Sequence, residues 1–122
     1  MQISPPSHSP SATQLLEQKI RTGTEPDNIM LLKLWLSIGQ SDNLSTKLLR
    51  ERYTAQFYLL LETIVDDLVP RHWRCTCLDN IYLPLSSLKK IANDDKSEQH
   101  LQHLFNELAI STHYVERSLS SY

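Results

Sequence analysis

At 122 residues with 40% apolar and 21% charged side chains, the chain has the length and composition of one folded domain and is too short for a second independent core. A formal net charge of −2 supplies no global basic field to draw it onto phosphate backbones or anionic membranes. Only two glycines occur, Gly23 and Gly39, so the glycine-rich loops that cradle phosphates and the tight elbows that present a nucleophilic serine are missing, which argues against nucleotide and acyl-transfer chemistry.

The first ten residues, MQISPPSHSP, place Pro5, Pro6 and Pro10 among serines. Such a composition neither continues a helix nor builds a core, and it predicts a disordered tail over 1–10 ahead of a single helical domain over 11–122. The tail lacks the basic start and apolar run of a secretory leader, and no stretch reaches the ~20 apolar residues of a membrane span. Cys75 and Cys77 are one residue apart, so a disulfide between them would be strained and would staple almost nothing. A soluble, intracellular protein, cytoplasmic or nuclear, with no membrane contact is expected.

From Ser11 to Thr22 the apolar positions Leu15, Leu16 and Ile20 share a face, and Gly23 supplies a left-handed cap. Thr24, Pro26 and Asp27 resemble a capping-box start for a second helix running to about Ile38, which Gly39 ends. The longest periodic segment, Asn43 to Leu68, carries Leu44, Leu48, Phe57, Leu60, Leu61, Ile64 and Leu68 at three- and four-residue steps. It is the expected central helix, terminated by Pro70.

Residues Pro70 to Pro84 (PRHWRCTCLDNIYLP) break that period and predict a loop. A helix is expected from Leu85 to Asn93, then another from Ser97 with Leu101, Leu104, Phe105 and Leu108 on one face. A break at Ile110 to Thr112 precedes a last short helix with Tyr114, Val115 and Leu119. The fold class predicted is all-α: a compact bundle of about five helices around one long central helix.

Two segments are apolar on every side. Between Ile29 and Ile38 only Lys33 and Ser37 interrupt the run IMLLKLWLSI, and Leu59, Leu60 and Leu61 follow Phe57 and Tyr58 in the long helix. So brief a chain has few elements with which to cover two such helices, and leftover apolar surface usually marks an interface. The expected function is therefore non-catalytic protein–protein interaction, as an adaptor, chaperone-like or regulatory subunit, with a protein partner, a second copy of the chain, or both. Trp35, Leu36, Tyr58, Leu59, Trp73 and Arg74 are the interface candidates, because aromatic residues and arginine dominate interface energetics.

Chemistry-bearing groups are sparse. His72, Cys75 and Cys77 are the sharpest metal candidates, but C-x-C is not the spacing of structural zinc sites and no second cysteine pair exists, so buried core cysteines are the expected outcome. His100 and His103 lack the acidic partner of a metalloprotease helix, adjacent Asp66 and Asp67 cannot face one another, and no serine has a base and orienting acid in a motif. No cofactor, metal, small-molecule substrate or enzymatic activity is expected. The alternative reading is a DNA-binding regulator whose residues Leu101 to Leu119 form a helix-turn-helix. It is disfavoured because Arg117 is the one fixed cation there, opposed by Glu116. Other basic residues, Lys47, Arg50 and Arg52, then Arg71 and Arg74 around Trp73, lie elsewhere.

Overall fold

The computed structural model describes residues 11–38 and 44–119, and among these every regular element is an α-helix. In chain order they are α1 (Ala12–Thr22), α2 (Ile29–Ser37), α3 (Thr46–Ile64), α4 (Arg71–Asn80), α5 (Tyr82–Ile91) and α6 (Asp95–Leu119). The expected tail, the cap at Gly39, the helix start at Asn43 and the side chain of Leu119 lie outside the described residues.

The all-α bundle is as expected, and α3 is its centre: it packs against α1, α4, α5 and α6. Phe57, Leu60 and Ile64 on α3 meet Ile20, Trp73, Leu85 and Leu104 in one continuous core. Ser45 begins α3 by accepting from the backbone N–H of Leu48 at 3.2 Å. The helix stops at Ile64, short of the expected Leu68, and Arg74 then satisfies its last turn by donating from Nε to the carbonyl of Ile64 at 2.8 Å.

At the start of the domain, Ser11 and Gln14 form a reciprocal capping box on α1. Gly23 closes that helix with φ of 64°, its N–H bonding the carbonyl of Lys19 at 2.9 Å. A Cβ there would come within 2.9 Å of Val69 and 3.0 Å of Trp73, so both conformation and space require glycine. Thr24 to Asp27 do not cap α2 as expected. They make the turn before it, and Asn28 at the N-cap bonds Glu25 with its side chain instead of the helix.

The segment Pro70 to Pro84 is helical, not a loop. Pro70 sits at the N-cap of α4 and Pro84 in the first turn of α5, two positions where a missing N–H costs nothing. Pro84 cannot donate back to Asn80, which accounts for the interruption at Ile81. Ile81 itself keeps helical angles (φ −65°, ψ −20°), so the chain passes from α4 to α5 through this single residue.

The second correction concerns the C-terminus, where α6 runs unbroken through Ile110, Ser111 and Thr112. Ser97, Leu104, Leu108 and Val115 are buried on one face, with Leu101 partly so, at steps of three, four and seven. That stripe holds the helix against α5 and α3. No helix of the described residues is long and apolar enough to cross a membrane.

Candidate functional site

Four of the six interface candidates belong to the chain's own core. Trp35 and Leu36 are buried, Trp73 is completely enclosed, and Arg74 is buried with its Nε on Ile64. The Trp73 indole N–H donates to the carbonyl of Ile20 at 2.8 Å, tying α4 to the last turn of α1. Trp73 and Arg74 are large amphipathic side chains whose polar tips find partners inside the chain, as core residues do, and Trp35 and Leu36 are packed in the same core. Tyr58 and Leu59 are half-buried, and the Tyr58 hydroxyl donates to Glu107 on α6. That bond to a carboxylate pushes the Tyr58 pKa up to about 12.

What α2 leaves outside is a different set. It turns Leu32, Trp35 and Leu36 inward, while Met30 stays 64% exposed and Leu34 57% exposed. The reason is position: α2 packs chiefly on α1 at the edge of the bundle, so among the described residues nothing covers one side of a helix that is apolar all round.

Beside that uncovered side, two stripes form a groove. Ala12, Leu15, Leu16 and Lys19 recur at helical spacing on α1, and Leu31, Leu34 and Ile38 recur on α2. They enclose about 310 Å³, with only Lys19 and Thr13 adding polar atoms from side chains. Adjoining it, through the shared Thr13 and Ile38, is a second hollow of about 260 Å³ whose other walls are Glu17, Trp35, Arg52, Ala55 and Gln56. The two hollows lie side by side, the first apolar between α1 and α2 and the second polar where it reaches α3.

The polar end is built from specific contacts. Trp35 Nε1 donates to Glu17 Oε2 at 3.1 Å, and Arg52 Nη1 donates to the carbonyl of Ile38 at 3.0 Å, holding the end of α2 against α3. Gln56 differs from both. It is only 5% exposed, and its carboxamide has no hydrogen-bond partner among the described residues. An unpaired buried amide costs about 1–3 kcal/mol, and the hollow that Gln56 lines gives water or a ligand access to it.

A third hollow, about 490 Å³ between α3 and α6, is lined by Lys47, Arg50, Glu51, Thr54, Ala55, Tyr58 and His100. Three of its polar side chains have partners. Tyr58 holds Glu107, Thr54 meets His100 at 3.3 Å, and Arg50 reaches the carbonyl of Ile91 at 3.4 Å. His103 lies 3.5 Å from the same Glu107 carboxylate.

The residues considered for metal chemistry do not converge. Cys77 is enclosed in the core and burial pushes its thiol up to about 12, whereas His72 points outward, 3.5 Å from Asp27. Two residues apart on α4, Cys75 and Cys77 face nearly opposite sides. Among the described residues no group of three or more His, Cys, Asp or Glu side chains is placed to hold an ion. Asp66 and Asp67 are likewise separated in role: Asp66 pairs with Arg21 at 2.7 Å and Asp67 reaches Arg74 at 3.5 Å. Since α6 is continuous, Leu101 to Leu119 contain no turn to set one helix against another, and helix-turn-helix geometry is not formed there.

Sequence reasoning missed Leu34, Leu15 and Gln56. The doubled stripe Ala12, Leu15, Leu16, Lys19 was a readable signal for a second apolar face on α1. Nothing in the sequence marked Gln56 as buried. No protein-family model matches the chain, and comparison with curated proteins and with solved structures finds no significant match.

Proposed function

We propose that this protein is a non-catalytic binding module that takes an apolar segment of another protein into the groove between α1 and α2. The observation that carries the proposal is the exposure of Met30 and Leu34 beside a groove walled by Leu15, Leu16, Leu31 and Ile38. Uncovered apolar surface of this kind gains roughly 25 cal/mol for each Å² removed from water, and an adaptor or regulatory subunit uses such surface to hold its partner. Residues lining the groove come from two adjacent helices of the scaffold, so its shape is set before binding and little ordering cost is incurred.

Site-specific photo-crosslinking in the cells that make the protein tests this directly. A photoreactive residue in place of Leu34 should yield a discrete adduct with another polypeptide, and the same residue in place of the exposed Ser86 on α5 should not. An adduct of twice the chain's own mass would assign the groove to a second copy instead. Absence of any adduct at position 34 would contradict the proposal.

A further inference from the structure

Resting on the binding role just proposed, the structure also indicates what part of the partner is recognised beyond its apolar side chains. We infer that Gln56 reads a main-chain amide, and that the bound segment is extended or ends a helix within the two hollows. Three observations lead there. Gln56 is buried to all but 5% and lacks a hydrogen-bond partner among the described residues. Gln56 lines the polar hollow, which shares Thr13 and Ile38 with the apolar groove. The ionic groups beside it are already engaged, Glu17 by the Trp35 indole and Arg52 by the Ile38 carbonyl, leaving a neutral carboxamide as the group that seeks a partner.

A carboxamide offers one oxygen acceptor and an NH₂ donor side by side. Its complement is a group with a donor and an acceptor at the same spacing and no charge, which a peptide unit provides. A charged ligand suits the site poorly, since the carboxylate and guanidinium flanking Gln56 favour opposite signs. The middle of a helix is also excluded as the bound element, because its N–H and C=O groups are spent on its own ladder and only its terminal turns or an extended stretch leave them free. The segment therefore lays apolar side chains between Leu15 and Leu34 and presents an unspent peptide unit to Gln56. Its main chain fixes the register, and its side chains supply the area.

The test uses the full chain and a displayed library of short random peptides as the probe. Peptides selected on the wild-type protein are measured against Leu34→Glu and against Gln56→Met, which keeps the volume of the side chain and removes its amide. Both substitutions should weaken binding about tenfold or more, the loss expected for one or two hydrogen bonds or for a charge placed in the apolar groove. Gln56→Met should unfold at the same temperature as the wild type or higher, because it removes an unpaired polar group. Replacing the contacted peptide bond by an ester should weaken binding to the wild type and leave binding to Gln56→Met unchanged.

The failures separate cleanly. Peptides that lose binding to Leu34→Glu but bind Gln56→Met within about twofold of wild type would overturn the amide assignment and leave the groove intact. Recovery of no peptide, or only of peptides indifferent to Leu34→Glu, would overturn both. A melting temperature lowered by several degrees in Gln56→Met would show that the carboxamide is satisfied inside the free protein and would remove the premise.

Discussion

The indole nitrogen of Trp35 lies 3.1 Å from Glu17 Oε2, a side-chain hydrogen bond that fastens the inner side of α2 to α1 and so sets the distance between the two walls of the groove. Glu17→Ala should leave a buried N–H without its acceptor and cost about 1 kcal/mol, and Glu17→Gln, which retains an acceptor oxygen, should cost much less. Urea denaturation of the two variants checks this. Equal midpoints for both would mean that the bond contributes nothing to the docking of α2.

Gly23 is a position where substitution fails twice. Its φ of 64° is unfavourable for any residue with a Cβ, and the added atom would press on Val69, Pro70 and Trp73. Gly23→Ala should therefore destabilise by about 2–4 kcal/mol, combining the left-handed penalty with displacement of well-packed neighbours. Thermal unfolding followed by circular dichroism measures it, and a shift of less than a degree would contradict the packing described.

Acid should loosen the junction between α1 and the turn after α3. Asp66 is held below the usual carboxylate range first by the Arg21 guanidinium 2.7 Å away and then by the backbone N–H of Leu68. A carboxylate whose folded pKa lies below its unfolded value of about 3.9 stabilises the fold above that value, and the contribution disappears as pH falls through the folded pKa. Asp94, lowered by the Ser97 backbone and hydroxyl, acts in the same direction. Asp66→Asn should be less stable than wild type at neutral pH and converge with it at low pH. Parallel stability curves across the acid range would refute the linkage.

The two cysteines should differ sharply in reactivity. Cys77 is enclosed against Trp73 and Ile81 in the core with its thiol pushed up to about 12, whereas Cys75 is only half-buried. Iodoacetamide at pH 8 should therefore label Cys75 in the native protein and reach Cys77 only upon unfolding. Mass spectrometry after partial labelling reads the order directly. Equal labelling rates would mean that α4 opens readily.

Much of the architecture was legible where local chemistry and tertiary packing agree. Leu15, Leu16 and Ile20 mark α1, Gly23 its end, and the three- and four-residue spacing of Phe57, Leu60, Leu61 and Ile64 marks the central helix. α4 was unreadable because RHWRCTCLDN turns inward a face made of Trp73, Arg74 and Cys77, without the aliphatic rhythm that signals a helix, and because prolines flank it at positions where they start helices as well as stop them. The length of α6 was hidden for a related reason: Ser111 and Thr112 look like a break locally, but Leu108 and Val115 on either side keep the buried stripe in phase and packing overrides propensity. At the site, residue type alone misled. Trp35, Trp73 and Arg74 suit a core and an interface equally well, and only the peripheral place of α2 decides that Met30 and Leu34, and not Trp35 and Leu36, stay outside.

Methyl-resolved NMR, with a groove-selected peptide titrated into isotopically labelled protein, most directly examines the assignment of binding to the α1–α2 groove. Perturbations should concentrate on Leu15, Leu16, Leu31, Leu34 and Ile38, with the Gln56 side-chain NH₂ shifting in step and the methyls of α5 and α6 unchanged. Shifts centred on the α3–α6 hollow around Tyr58 and His100, with Leu34 and Gln56 silent, would contradict it.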